Sequence, residues 1–207
     1  IRDRIKNDQL QTELKFLKSQ YHPHFLFNAL NTVYFQIDES NKAPRRTLEM
    51  ISELLRYQLY GGNQKVSILQ EIDYLKTYIA LRKLRMSERL RLRVEFPPEL
   101  NELNIYPLLF LPLVENAFKY VGGDYQLDII MKWENNRISL FIRNSIPELS
   151  AEDEALRKSV DERQRKGIGL VNLRRRLSLL YPNKHRLETR KEETEFVAEL
   201  MIEIEDI

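Results

Sequence analysis

The spacing of apolar residues in the first third of the chain predicts a long helix that is interrupted at Pro23. Before the proline, apolar side chains recur at helical intervals at Leu10, Leu14, Leu17 and Tyr21. After it, they recur in the same way at Leu26, Leu30, Val33 and Ile37. The step from Tyr21 to Leu26 puts the two stripes out of phase, and proline removes one backbone donor. We therefore predict one helix over residues 1–37 that is broken or bent at Pro23.

A second helix is predicted after a polar turn at residues 39–42. It runs from Pro44 to Tyr60, and Gly61-Gly62-Asn63 ends it. Its apolar positions are Leu48, Ile51, Leu55 and Leu59. Two such helices have too little core to be stable alone, whereas two hairpins paired as a four-helix bundle bury both apolar faces. We expect a homodimer formed by a first domain over residues 1–64.

The rest of the chain mixes helices and strands and predicts a second domain over residues 65–207. Helices are predicted over residues 69–86, 106–120 and 168–181, and strands over 92–96, 127–133, 138–142, 186–190 and 195–204. The strongly charged segment 147–166 is predicted to be a mobile loop or lid. Antiparallel strands with helices on one side give an α+β fold, here an α/β sandwich.

Composition excludes several classes of protein. Cysteine is absent and the net charge is only +2, so neither disulfides nor a general affinity for nucleic acid is expected. No apolar run approaches the roughly 20 residues of a membrane-spanning helix. The chain begins with Ile1 inside a predicted helix. We expect a fragment of a longer protein.

His24 lies on the face of its helix opposite the apolar stripe. At about 100° per residue it is about 160° from the Leu26 stripe, beside Asn28 and Asn31. A neutral imidazole on a rigid helix can accept a phosphoryl group. Asn28, one turn on, can orient the ring. The alternative is an ordinary surface histidine, and His22 and His185 complete no metal-binding pattern.

Two further motifs suit a bound nucleotide. Gly167-Ile168-Gly169 opens a helix after the charged loop, and such a helix start can bind phosphate, although no Walker A sequence is present. Residues 113–120 place Glu115, Asn116 and Lys119 within one helical turn, where an amide oxygen can bind magnesium and a lysine can contact phosphate. Taken alone, this second motif fits an ordinary polar helix face better than a ligand site. Residues 174–176 form a basic cluster that fits a solvated outer face better than a nucleic-acid contact.

These three segments resemble one family in order and spacing. Residues 17–33 (LKSQYHPHFLFNALNTV) resemble the phospho-acceptor box of LytS/YehU-type sensor histidine kinases. Residues 111–120 (LPLVENAFKY) resemble their N box, and residues 167–181 (GIGLVNLRRRLSLLY) their glycine box and the helix after it. The resemblance covers nearly the whole chain.

The resemblance implies a dimerisation hairpin followed by an ATP-binding domain of the type shared with gyrase, heat-shock protein 90 and MutL. His24 would receive the γ-phosphoryl group of ATP, Asn116 would hold Mg²⁺, and Glu115 would belong to the catalytic residues. The remaining nucleotide-binding positions would be Lys119, Tyr120, Asn144, Gly167, Gly169, Leu170, Asn172 and Thr194.

The resemblance also implies partners and a location. The partner would be a cytoplasmic response regulator, of the LytTR type in many relatives, whose aspartate receives the phosphate. The chain itself would contact no nucleic acid. It would be the cytoplasmic fragment of an inner-membrane sensor, attached to the membrane through a region outside this sequence.

The chain departs from the family pattern at Tyr120, where a histidine normally follows the lysine, and more consequentially at Asn144. An aspartate that accepts a hydrogen bond from the adenine amino group is usual after the central strand, within Asp-x-Gly-x-Gly; here Asn144 stands in its place and the glycines are missing. The amide oxygen still accepts one hydrogen bond, but loss of the charge weakens such a contact by about 1 kcal/mol or more. The sequence also offers no evident general base for His24.

Two other functions stay open. The chain could be a catalytically degenerate dimeric signalling scaffold, in which Asn144 leaves a nucleotide site too weak for turnover. It could also be an ATPase or a protein-serine kinase with the same nucleotide fold, which the motif around His24 disfavours.

Overall fold

A computed structural model describes residues 23–60, 64–98, 100, 103–148 and 168–204. The chain divides into two compact units, Ile1–Gly62 and Asn63–Ile207. The predicted helix before Pro23, and the predicted lid beyond Glu148, lie outside the described residues. The predicted boundary after residue 64 and the roles assigned to the two domains remain predictions.

The first unit contains a helical hairpin. Helix α1 spans Pro23–Gln36 and helix α2 spans Lys42–Tyr60, two residues earlier than the predicted start. Arg45 fixes the turn between them, since its Nε and Nη2 donate to the carbonyl of Ile37 at 3.1 and 2.9 Å. Its guanidinium also lies 4.9 Å from the ring centre of Tyr34. A cation at the end of α1 satisfies a carbonyl that the helix leaves unpaired.

The hairpin has very little core of its own. Among residues 24–60, only Met50 and Leu54 are buried. Phe25 and Phe35 on α1 are 73% and 78% exposed. Large exposed apolar side chains grouped on one small element typically mark a surface that is covered by a partner.

The second unit is a sheet covered by helices. Its elements in chain order are β1 Val66–Ser67, α3 Ile68–Lys83, β2 Arg91–Glu95, β3 Asn104–Ile105, α4 Leu111–Tyr120, β4 Gln126–Glu134, β5 Arg137–Ser145, α5 Ile168–Leu180, β6 His185–Lys191 and β7 Glu195–Glu203. The main sheet has the strand order β2-β4-β5-β7-β6, and β1 pairs with β3 separately. Alternate residues of the sheet, such as Leu127, Ile129 and Met131, share one core with residues of α3, α4 and α5. The predicted α+β class is confirmed.

The prediction of a wholly antiparallel sheet is wrong at one edge. Strand β2 pairs with β4 in parallel, with Val94 opposite Ile129. The other neighbours in this sheet are antiparallel. Between β2 and β4 the chain passes through β3 and α4, which is the long crossover that a parallel pair requires.

The predicted helix over residues 106–120 begins five residues late, at Leu111. Leu108 has φ +58°, a left-handed conformation that ends any helix there. Pro112 is tolerated in the first turn of a helix that begins at Leu111, but it would disrupt the interior of a helix that began at residue 106. Apolar periodicity alone therefore placed the helix start too early. Strand β3, shortly before this helix, pairs with the distant strand β1, and this short pair was not predicted.

Candidate functional site

His24 lies on the exposed face of α1, as predicted. Its side chain is exposed, and so are those of Asn28 and Asn31. Nδ1 of the imidazole lies 3.2 Å from Nδ2 of Asn28. Asn28 is held in turn within the helix, because Thr32 Oγ1 donates to its carbonyl at 2.8 Å. Asn28 therefore contacts the imidazole ring, and its role in orienting the ring stays a prediction.

Helix α4 of the second unit carries the predicted N-box residues. Glu115 and Lys119 are exposed residues, although the Glu115 carboxyl is partly covered, and Asn116 is half-buried. Burial raises the pKa of the Glu115 carboxyl, and the positive charge of Arg82 opposes that rise only in part. Arg82 itself lies with its guanidinium 5.7 Å from the ring centre of Phe118. Glu115 thus lies in a partly desolvated position beside a cation.

Asn144 has the most unusual environment among the predicted site residues. It is fully buried near the end of β5, and its Oδ1 has no hydrogen-bond partner. Its Nδ2 donates to the carbonyl of Ser145 at 3.2 Å. Because this bond uses the amide N–H, the free group is an acceptor. A buried acceptor without a partner is costly in a folded protein, and it points to a donor supplied from outside.

Ser145 was not predicted, although it holds this part of the site together. Its Oγ donates to the carbonyl of Gly122 at 2.6 Å and accepts from the N–H of Gln126 at 2.9 Å. Its carbonyl accepts from the N–H of Gly122 at 3.0 Å. The turn after α4 is thereby fixed to the end of β5. The adjacent pair Gly122-Gly123 was the only sequence signal for such a close approach.

The glycines in this turn leave no room for side chains. A Cβ at Gly122 would lie 2.9 Å from Cδ of Pro147. Gly123 has φ +61°, and a Cβ there would lie 3.0 Å from the carbonyl oxygen of Ile146. The residues after α4 and those after β5 therefore pack backbone against backbone.

The structure brings most of the predicted nucleotide-binding positions onto neighbouring elements. Thr194 is adjacent to the Asn144 strand, since its carbonyl accepts from the N–H of Ile146 at 2.8 Å. Helix α4 contacts both β5 and α5, and α5 carries Gly169, Leu170 and Asn172 in its first turns. Gly167 lies outside the described residues. A Cβ at Gly169 would meet open space, so no contact within the protein requires glycine there. That this glycine makes room for a bound nucleotide remains a prediction.

Two other predicted residues have local contacts. Lys119 Nζ lies 5.1 Å from the ring centre of Tyr120, which keeps the ammonium group at the end of α4. Among residues 174–176, Arg174 donates to the carbonyl of Leu187 at 2.9 Å and Arg176 donates to that of Pro107 at 2.7 Å. Two of the three arginines therefore hold elements together, which is consistent with a cluster that does not contact nucleic acid.

The donor set fits a nucleotide better than a protein-held metal. In the described parts of the chain, no group of three His, Asp or Glu side chains is placed to hold a metal ion. Asn116 offers one amide oxygen, which suits Mg²⁺ that takes its other ligands from phosphates and water. The unpaired Oδ1 of Asn144 suits a ligand that carries an N–H donor. No helix among the described residues is long and apolar enough to cross a membrane.

Sequence comparisons agree with the predicted relationship. Residues 12–90 match the family model described as histidine kinase. The sensor protein kinase HptS of Staphylococcus aureus (strain USA300) is 29% identical over 180 residues, which cover 84% of this chain and 35% of that protein. The chain thus spans about a third of the length of the curated relatives it matches.

Solved structures give weak overall superpositions. The catalytic domain of histidine kinase ThkA is 16% identical, covers 67% of this chain and 93% of that one, and has a TM-score of 0.43. The histidine kinase AdeS of Acinetobacter baumannii is 12% identical, covers 91% and 98%, and has a TM-score of 0.45. The family-model match over residues 12–90 and the curated relatives therefore show that the chain is similar to sensor histidine kinases.

Proposed function

We propose that the chain is the kinase core of a two-component sensor protein-histidine kinase that phosphorylates itself on His24. The proposal rests mainly on the position and surroundings of His24. It lies within the matched segment 12–90, on an exposed helix face, with one ring nitrogen held by Asn28. The LytS/YehU subgroup is part of the proposal and is supported by the three sequence boxes.

The contact with Asn28 engages Nδ1 of His24, so the proposal assigns transfer to the other ring nitrogen, Nε2. In the arrangement found, Nδ2 of Asn28 faces Nδ1; the attacking form needs the tautomer with Nδ1–H and the lone pair on Nε2, which a 180° rotation of the amide would satisfy by turning Oδ1 towards Nδ1. Nε2 attacks the γ-phosphorus, the bond from phosphorus to the bridging oxygen breaks, and ADP leaves. The Nδ1 proton stays on the ring during attack. Positioning and charge stabilisation supply most of the catalysis of such transfers.

The second unit would bind ATP through the residues around α4, β5 and α5. Oδ1 of Asn144 would accept a hydrogen bond from the adenine amino group. Asn116 would bind a magnesium ion that neutralises phosphate charge, and Lys119 would contact a phosphate directly. Asn172, in an early turn of α5, would face the phosphates. Glu115 would lie beside these groups in its partly desolvated position.

The hairpin supports the proposed homodimer. Its apolar side chains at Phe25, Val33 and Phe35 are largely exposed, and only two residues in its described part are buried. Pairing two hairpins as a four-helix bundle would cover these surfaces. A response regulator, of the LytTR type in our proposal, would take the phosphoryl group from His24. A membrane-bound sensor region would lie in the part of the protein outside this sequence.

The alternative function is a dimeric scaffold with a nucleotide site that does not turn over. Its basis is Asn144, which is neutral where the family has aspartate. The structure offers a reason to favour the kinase, because the Asn144 acceptor is buried and unpaired rather than collapsed onto a neighbour.

Calorimetry with ATP and magnesium separates the two functions. We expect binding at submillimolar ATP, and an Asn144→Ala variant should bind about fivefold or more weakly because one buried acceptor contact is lost. GTP should bind more weakly than ATP, since its 6-oxo group would face an acceptor. Failure of the wild-type protein to bind ATP at millimolar concentration would favour the scaffold.

A further inference from the structure

The segment that leads into α4 is held at both sides by charged side chains. Glu71 on α3 is wholly buried, and its Oε2 accepts from the N–H of Leu108 at 2.9 Å. Arg176 on α5 donates through Nη2 to the carbonyl of Pro107 at 2.7 Å and through Nη1 to that of Leu108 at 3.4 Å. One short stretch of backbone is therefore bound by two helices at once.

This stretch has a backbone conformation that its own sequence does not favour. Leu108 has φ +58°, which is unfavourable for a residue with a bulky side chain. Such conformations persist where surrounding contacts fix them, and they concentrate near functional sites. Here the fixing contacts come from Glu71 and Arg176.

The position of α4 depends on this stretch. Helix α4 begins at Leu111, three residues after Leu108, and its N-cap residue Phe110 makes no side-chain capping bond. Helix α4 then carries Asn116 and Lys119. On α5, Asn172 lies four residues before Arg176 and therefore on the same helix face. The face of α5 that carries Asn172 is thus anchored by Arg176 to the start of the helix that carries Asn116.

We propose that Arg176 is a positioning residue of the nucleotide site, which sets the spacing between the phosphate-binding residues of α4 and α5. The inference rests on the proposed function, because it assigns Asn116, Lys119 and Asn172 to the phosphates. Arg176 contacts no nucleotide itself. It acts through the backbone of Pro107 and Leu108.

The chemistry of this contact requires arginine. A guanidinium is planar and directs two N–H groups at two successive carbonyls, whereas a lysine ammonium is a point charge on a flexible stem. An Arg176→Lys variant keeps the charge but not the paired geometry. It should therefore recover only part of the loss seen in Arg176→Gln.

The test compares ATP and AMP binding by calorimetry in the presence of magnesium. In Arg176→Gln we expect ATP affinity to fall about tenfold, because the phosphate-binding residues of α4 and α5 would no longer be held at matching positions, and AMP affinity to change by less than about twofold. The matched control is Arg175→Gln, since Arg175 is an exposed neighbour on the same helix. It should bind both nucleotides like the wild type.

The outcomes separate positioning from simple loss of structure. A fall in the ratio of ATP to AMP affinity, with partial recovery in Arg176→Lys, supports the inference. Equal loss of ATP and AMP affinity would show that Arg176 only maintains the fold, and this would overturn the inference. Wild-type affinity for both nucleotides would overturn it as well. Absence of ATP binding by the wild-type protein would overturn the proposed function itself, and this inference with it.

Discussion

At the scale of single residues, the predicted nucleotide site contains an uncharged hydrogen-bond acceptor, Asn144, and an acid whose pKa is raised, Glu115. The Nδ2 group of Asn144 donates to the carbonyl of Ser145, and its Oδ1 is buried without a partner. If Asn144 stands in for the aspartate of the proposed family, it would still accept a hydrogen bond but without the negative charge. Loss of the carboxylate need not imply loss of the site.

Glu115 provides a pH-dependent test at this scale. Burial is the larger influence on its carboxyl and raises its pKa above the ordinary value of 4.5, so the folded protein binds this proton more tightly than the unfolded chain. The ionised form is therefore unfavourable in the folded state. Its cost is absent well below pH 4.5, grows as the pH rises towards the raised pKa, and stays constant above it.

We accordingly expect Glu115→Gln to raise the thermal unfolding midpoint at pH 7 but not at pH 4. The loss of the favourable charge of Glu115 beside Arg82 reduces this gain without cancelling it, because burial is the larger cause. Calorimetric unfolding at the two pH values measures the effect. A variant that is destabilised at pH 7 but not at pH 4 would show that Glu115 is held mainly by its charge interaction with Arg82, and would contradict the prediction.

At the scale of elements, the connection between β4 and β5 is a two-residue turn. Asn135 and Asn136 have φ of +52° and +59°, and Glu134 pairs with Arg137 across the ladder. Two successive left-handed residues define the turn type that matches the twist of a hairpin, and asparagine tolerates that conformation better than most residues.

This turn gives a stability prediction. Replacing Asn135 by alanine should lower the free energy of unfolding by about 1 kcal/mol, since a left-handed conformation is unfavourable for alanine. Asn135→Gly is the matched control and should stay within about 0.5 kcal/mol of the wild type. Chemical denaturation of both variants tests the prediction, and equal stability of the alanine and glycine variants would contradict it.

The same elements show what the sequence could and could not reveal. The hairpin strands and α5 were predictable because their apolar residues alternate with the right period over a long run. The start of α4 was not, because the conformation of Leu108 is fixed by Glu71 and Arg176, which are distant in sequence. The parallel pairing of β2 with β4 depends likewise on packing across the sheet rather than on either strand alone.

The predicted site residues divide in the same way, into those that local sequence patterns reveal and those that they do not. His24, Asn28 and Asn116 belong to continuous motifs, so the sequence alone was enough to propose them as site residues. Ser145 was missed because its role is to join Gly122 to the end of β5, a contact between segments that local patterns do not report. Residues that bind a ligand recur in motifs, whereas residues that hold those motifs together become visible only in three dimensions.

At the scale of the whole molecule, the proposed phosphoryl acceptor and the proposed nucleotide site lie in separate compact units. His24 belongs to the unit Ile1–Gly62, and Asn116 and Asn144 belong to the unit Asn63–Ile207. A helical hairpin with exposed apolar side chains and a separate α+β unit suit a protein in which one part is phosphorylated by the other. Transfer requires the two units to meet within the proposed dimer.

The most direct test is labelling of the protein with ATP that carries a labelled γ-phosphate, in the presence of magnesium. We predict a label that is lost in acid and stable in alkali, as expected of a phosphorylated imidazole. It should be absent from His24→Gln and present at the wild-type level in the matched control His22→Gln. An acid-stable label, or equal labelling of His24→Gln and the wild type, would contradict the assignment of His24 as the phosphoryl acceptor.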